Sequence, residues 1–269
     1  MALLEARNLT VSYGGLHANN RIDLDCEVGK LVGLIGPNGA GKTTFIDAIT
    51  GFTPLSAGTV TFDGVPLDGL RPDARAQLGL VRTFQSLELF EDLSVRDNLL
   101  VAAERPRWFS IVTDVLRPGR GRRAYVDQVD AALEAMELTA LADKYPSDLS
   151  HGQRKLIGVA RALASDSKLV LLDEPAAGLD TQESQKFGRH LRRLLDTGRS
   201  LFLIDHDMGL VLNVCDYIYV LDFGVVIAKG TPAEVRADPT VIAAYLGESA
   251  GESQALQGQA ASAAAGEGH

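Results

Sequence analysis

Three observations predict an α/β fold. Short apolar strands alternate with amphipathic helices through the second half of the chain, which implies parallel strands joined by crossover helices. A glycine-rich loop stands between a buried strand and a helix. Residues 3 to 35 read as alternating strands joined by turns, which implies an antiparallel β subdomain at the N-terminus.

The elements follow in order. Leu9-Thr10-Val11-Ser12-Tyr13 alternates and stops at Gly14-Gly15. Ile22-Asp23-Leu24-Asp25-Cys26 alternates again, and Gly29-Lys30 turns the chain into the apolar run Leu31 to Ile35. Then Gly36-Pro37-Asn38-Gly39-Ala40-Gly41-Lys42-Thr43 fits G-x-x-x-x-G-K-[ST] at every fixed position. Thr44 to Thr50 reads as a helix ended by Gly51. Strand, loop and helix in that order are the context this motif requires, so the core is read as a P-loop NTPase core. Glycines let successive backbone N–H groups curl round a polyphosphate with no Cβ in the way. The helix start adds donors and the positive end of a dipole. Lys42 is the residue to reach the β- and γ-phosphates of a nucleotide, and the Thr43 hydroxyl to ligate Mg²⁺.

After the loop, Gly58 to Gly64 reads as a short strand and residues 72 to 79 as a helix. Leu80-Val81-Arg82-Thr83-Phe84-Gln85 is a strand ending in a polar amide. Residues 94 to 104 read as a helix capped by Ser94. Residues 104 to 124 change character: Arg105, Arg107, Arg117, Arg120, Arg122 and Arg123 surround the single Trp108. A solvated face and a docking surface for a partner or acidic headgroups both fit that composition. A helical pattern resumes over 124 to 142 with Val129, Leu133, Met136 and Leu141.

In the second half, Leu156, Val159, Ala160 and Leu163 put an apolar stripe on a helix. Strands follow at Lys168 to Leu172, Ser200 to Ile204 and Tyr217 to Leu221. The last pairs with Val225 to Ala228 as a hairpin around Asp222-Phe223-Gly224. From residue 248 to 269 only Ala, Gly, Gln, Glu, Ser, one Leu and one His remain. That stretch buries too little apolar surface to order itself and is expected to be a disordered tail.

Composition narrows the function. Of 269 residues, 46% are hydrophobic and 23% charged, which suits a chain with a sizeable core. The net charge of −9 argues against coating nucleic acid. Cys26 and Cys215 have no metal-ligand or redox spacing and are expected to be buried, inert thiols in a reduced compartment. No apolar run approaches the ~18–20 residues that cross a bilayer, and the first residues are charged too soon for a signal peptide. Work at a membrane would therefore need a partner to hold the chain there.

Three more stretches sit where chemistry is done. Leu169 to Leu172 is an apolar strand that ends in Asp173-Glu174-Pro175. A carboxylate at the C-terminal end of a parallel strand is placed for a ligand. Asp173 is assigned to Mg²⁺, directly or through water, and Glu174 to polarising a water. Leu149-Ser150-His151-Gly152-Gln153 opens a helix; a Ser–Gly pair there is an anion-binding arrangement, but taken alone it reads first as an ordinary N-cap. His206 follows the apolar strand at Leu201 to Ile204, at the same sheet end as Glu174. Packing and phosphate sensing both suit it. Tyr13, beside a glycine turn, is placed to stack on an adenine ring, but plain packing serves as well.

Taken together, these residues resemble the ATP-binding subunit of an ABC transporter. GPNGAGKT matches the family's Walker A, LVLLDEP its Walker B and LSHGQ its signature. Gln85 matches the Q-loop, Ala177-Gly178-Leu179-Asp180 the D-loop, and His206 the switch histidine. The likeness spans residues 3 to 246. It implies an ATPase domain over 1–247 of ABC ATPase type, with a helical subdomain roughly at 86–165 inserted in it. It makes Tyr13 the adenine-stacking aromatic. It assigns Gly36, Pro37, Asn38, Gly39, Ala40, Gly41, Lys42, Thr43 and Thr44 to ATP, and Thr43, Gln85 and Asp173 to Mg²⁺. Ser150, Gly152 and Gln153 become a γ-phosphate site offered to a second subunit, either a copy or a paralogue. Glu174, His206 and Lys42 become the catalytic set. Two membrane-spanning permeases are implied as partners, a solute-binding protein indirectly, and no nucleic acid; the place is the cytoplasmic face of the membrane.

One departure is His151, where the signature usually has Gly. Arg82-Thr83-Phe84-Gln85, the DEPAAGL stretch, Asp205-His206-Asp207-Met208 and Ala244-Tyr245-Leu246-Gly247 are similar to importers of branched-chain amino acids, although Asp205 stands where that subgroup usually has Glu. Urea or lipid transport stays open, because selectivity lies in other subunits. A soluble ABC ATPase is the non-transport alternative, but the chain has one P-loop and no heptad stretch. A P-loop kinase or GTPase would lack LSHGQ.

Overall fold

The computed structural model describes residues 2–83, 89–104 and 120–245. Gln85, most of the arginine-bearing stretch with Trp108, and the 248–269 tail lie outside them.

Two sheets carry the fold. The first is antiparallel and four-stranded, in the order β2 (Leu16–Glu27), β1 (Ala2–Tyr13), β4 (Ala57–Phe62), β5 (Val65–Pro66). β1 and β2 run longer than their alternating cores suggested, with register shifts that absorb the extra residues. The second has six strands: β10 (Val225–Gly230), β9 (Tyr217–Asp222), β3 (Leu31–Ile35), β8 (Ser200–Ile204), β7 (Leu169–Asp173) and β6 (Leu80–Thr83). β9, β3, β8, β7 and β6 are parallel, and β10 closes the edge as the antiparallel arm of the expected hairpin.

Every residue of β3, β7 and β8 is buried, as unbroken apolar runs require when both faces of a sheet are covered. The pleat sorts them. Val32, Leu34, Leu169, Leu171, Phe202 and Ile204 face a core shared with the antiparallel sheet and with α1 (Lys42–Thr50), whose Phe45, Ile46 and Ile49 are fully buried. Leu31, Ile35, Val170, Leu172, Leu201 and Leu203 face the other core. There they meet α5 (His151–Ala164), α6 (Thr181–Asp196) and α7 (Met208–Val214).

α2 (Pro72–Gln77) sits at the far end of α1. Its Arg75 is buried and donates to the carbonyls of Ala48, Ile49, Leu67 and Leu70, so it stoppers the C-terminus of α1. Burial lowers the Arg75 pKa. α3 (Val95–Ala103) and α4 (Arg120–Ala135) pack on α5 through Leu99, Val129, Leu133, Met136 and Ile157. Ser94 caps α3 by accepting from Asp97 N. α4 ends before Met136, where Glu137 takes a left-handed φ of 55°, and the expected helical stretch finishes as one 3-10 turn. α8 (Pro232–Ala237) packs on β10.

Cys26 and Cys215 are buried, and burial pushes both thiols up, Cys26 to about 12. No helix among the described residues is long and apolar enough to cross a membrane.

Candidate functional site: a phosphate loop and two acidic strand ends

The sheet order brings the pieces together. β3, β8 and β7 are neighbours and parallel, so the loop after β3, the residues after β8 and the acids after β7 share one end of the sheet.

The loop is clamped from two sides. A Cβ on Gly36 would sit 2.0 Å from the Leu221 carbonyl oxygen, and one on Gly41, at φ 101°, would sit 2.4 Å from that of Ala18. The two glycines are there because neighbouring backbone passes where a side chain would be. Asn19 donates to the Gly41 carbonyl at 3.1 Å, and Gly224 N donates to the Ala40 carbonyl at 2.9 Å. These clamps come from the start of β2 and the β9–β10 turn. Lys42 is 6% exposed, with its ammonium donating to the carbonyls of Gly36 (2.6 Å) and Pro37 (2.9 Å). It lies folded over the loop, and Thr43 beside it is exposed.

A cleft of about 420 Å³ opens over Asn38 to Thr44. Its other walls are Leu16, His17, Ala18, Glu174, Phe223 and Gly224. A glycine cradle with backbone donors and a lysine fits a polyphosphate. Tyr13 is not among the cleft residues; its ring is exposed and its hydroxyl lies 3.5 Å from Thr53 Oγ1. A larger groove of about 600 Å³ runs between α6 and α7, past Arg189, Arg192 and Arg193. No residue of the phosphate loop lines it.

Asp173 ends β7 and is nearly buried. Arg82, at the end of β6, holds its Oδ2 at 2.7 Å and the Asp47 Oδ1 of α1 at 2.5 Å. Glu174 follows at φ 45°, a left-handed conformation that a side chain makes costly, and its N–H still pairs with the Ile204 carbonyl of β8. His206 Nδ1 lies 3.8 Å from Glu174 Oε2 and 3.6 Å from Asp205 Oδ1. Asp205 is fully buried and accepts from the N–H groups of Asp207 (3.0 Å) and Ala176 (3.4 Å). Burial raises its pKa, and those two hydrogen bonds work the other way. Lys155, buried on α5, has its pKa lowered by burial, opposed by Asp205 and Glu174.

The LSHGQ stretch stands apart. Ser150 caps α5 in a reciprocal box: Gln153 N donates to Ser150 Oγ (3.3 Å), and Ser150 N to Gln153 Oε1 (3.0 Å). Ser150 and His151 are exposed. The His151 ring lies against Gly178, with Nε2 3.4 Å from where a Cβ would be, and Gly152 faces Leu179 and Glu183. Ser150, Gly152 and Gln153 do not line the cleft over the phosphate loop.

The structure thus gathers Asn38 to Thr44 and Glu174 around one cleft, with His206 beside Glu174. It leaves Ser150, Gly152 and Gln153 elsewhere. Sequence reasoning missed Asn19, Asp47, Leu16 and Phe223, and noted Arg82 only as part of a motif. Their partners are far away along the chain, and no local spacing announces them.

Comparison with known proteins fits this geometry. Residues 19–177 match the ABC transporter family, and residues 225–251 match the family described as branched-chain amino acid ATP-binding cassette transporter. The high-affinity branched-chain amino acid transport ATP-binding protein LivG of Salmonella typhimurium is 38% identical, over 91% of this chain and 98% of that one. The lipopolysaccharide export system ATP-binding protein LptB of Escherichia coli is 35% identical, over 92% and 98%. The crystal structure of an ATP-binding cassette of an ABC transporter in its ADP conformation superposes with a TM-score of 0.81 at 30% identity, covering 92% of this chain and 100% of that one. The chain belongs to the ABC transporter family of ATP-binding subunits, the ATPases coupled to transport.

Proposed function

We propose that the chain is the ATP-hydrolysing subunit that energises an importer of branched-chain or related amino acids. The observation that carries the catalytic part is the meeting of Glu174 and His206, 3.8 Å apart, beside the phosphate loop. The substrate part is supported by the match over 225–251 and by the names of the LivG relatives.

Lys42 exchanges the Gly36 and Pro37 carbonyls for the β- and γ-phosphate oxygens. Thr43, Asp173 and Gln85 are the residues to hold Mg²⁺, a hard cation suited to oxygen donors. Bound there, Mg²⁺ neutralises charge on the phosphate oxygens. Glu174 orients or deprotonates the attacking water, and His206 contacts the γ-phosphate from the same side. Tyr13 stacks on the adenine. Ser150, Gly152 and Gln153 reach the γ-phosphate of a partner subunit, a copy or a paralogue, and that explains their distance from this chain's own cleft. ATP then closes the dimer, and hydrolysis releases it. The region 86–165 presses on two permeases at the cytoplasmic face of the membrane, with a solute-binding protein acting through them.

Co-purification with permeases of branched-chain amino-acid importers, followed by leucine uptake into proteoliposomes, tests the reading. ATP-dependent uptake is expected. The 35% identity to LptB favours a lipid substrate as the second reading. ATPase stimulation by a lipid-extracting permease without amino-acid uptake would decide for that one.

A further inference from the structure

The charge triad Asp47–Arg82–Asp173 ties together the two elements that carry the Mg²⁺ ligands. Asp47 lies four residues beyond Thr43 on α1, so both occupy one helix face. Asp173 is the last residue of β7. Arg82 reaches across from β6, with one guanidinium nitrogen 2.5 Å from Asp47 Oδ1 and the other 2.7 Å from Asp173 Oδ2. The Arg82 and Asp173 side chains are each 10% exposed, and that of Asp47 30%.

The planar fork of arginine fixes both distances at once, which a lysine ammonium on a flexible stem does not. We infer that Arg82 is a positioning residue that presets the spacing between the Thr43 hydroxyl and the Asp173 carboxylate for Mg²⁺. It holds one oxygen of Asp173 and leaves the metal shell to the other. This rests on the assignment of Asp173 and Thr43 to Mg²⁺ made above.

Mn²⁺ serves as the probe, its affinity for the ATP-loaded Glu174→Gln protein read by electron paramagnetic resonance. Nucleotide affinity is measured separately in EDTA, and the thermal midpoint of each variant alongside. Arg82→Gln is expected to weaken Mn²⁺ about 10- to 100-fold, the usual cost of losing an outer-shell partner. Metal-free nucleotide affinity should change less than about twofold, because the phosphate cradle stays intact. Arg82→Lys should restore only part of the loss. Asp47→Asn, at the more exposed corner, should weaken Mn²⁺ in the same direction by less, and it remains informative if Arg82→Gln does not fold.

Unchanged Mn²⁺ affinity in folded Arg82→Gln or Asp47→Asn would overturn the inference. So would an equal loss with and without metal, which marks a merely structural role. Asp173→Asn separates the two layers. If it too leaves Mn²⁺ affinity unchanged, the metal assignment itself fails; if it weakens Mn²⁺ while the Arg82 variants do not, only the role of Arg82 fails.

Discussion

The phosphate loop and the start of α5 are both helix N-termini, and they are built in opposite ways. The loop is clamped by Asn19 and Gly224, opens onto a cleft, and carries no side-chain cap on α1. Its donors are kept for a ligand. The start of α5 is exposed and closed by its own capping box. Its Ser150 Oγ accepts from Gln153 N and still has a hydroxyl proton to give. One terminus is an open phosphate cradle on this chain. The other is an exposed helix start whose first turn is closed by its own cap.

That contrast can be broken by substitution. The largest effect is expected at the catalytic end: Glu174→Gln should cut ATP turnover by about 10²- to 10⁴-fold while ATP binding persists. Near-normal turnover would remove Glu174 as base. Lys42→Ala should abolish ATP binding even in a lone chain. Ser150→Asp should leave binding by the lone chain intact and suppress turnover at concentrations where chains pair, because a carboxylate there repels the γ-phosphate. Equal losses of binding in the two variants would erase the distinction between the two termini.

Stability should divide the same way. Arg75→Met removes a donor from the Ala48 and Ile49 carbonyls at the foot of the phosphate-loop helix and from those of Leu67 and Leu70, and should cost about 2–4 kcal/mol by denaturant melts. Ser150→Asp keeps a good N-cap and should stay within about 0.5 kcal/mol of the parent. The smallest effect is on the thiols. With Cys26 and Cys215 buried and their pKa values raised, alkylation at neutral pH should be slow in the folded protein and fast in denaturant.

The phosphate loop was the more legible of the two. Leu31 to Thr50 announces strand, loop and helix by period and glycine placement alone. The apolar runs before Asp173 and His206 announce buried parallel strands, whose ends must meet in such a sheet. What holds the site in place was not legible. Arg82 meets Asp173 across 91 residues and Asp47 across 35, and Asn19 reaches Gly41 across 22. Contacts of that reach leave no periodic trace. At the other terminus, Ser150 and Gln153 spelled an ordinary cap. An anion site was the other reading of that helix start, the resemblance to a known family made it a γ-phosphate site, and the structure shows the cap.

The central claim is that the site is completed between chains. Sedimentation of Glu174→Gln with ATP, with and without Ser150→Asp in the same chain, tests it most directly. ATP should convert Glu174→Gln to a dimer, and the added Ser150→Asp should leave an ATP-bound monomer. A dimer that forms regardless of Ser150, or a wild-type chain that stays monomeric yet hydrolyses ATP at full rate, would contradict the account.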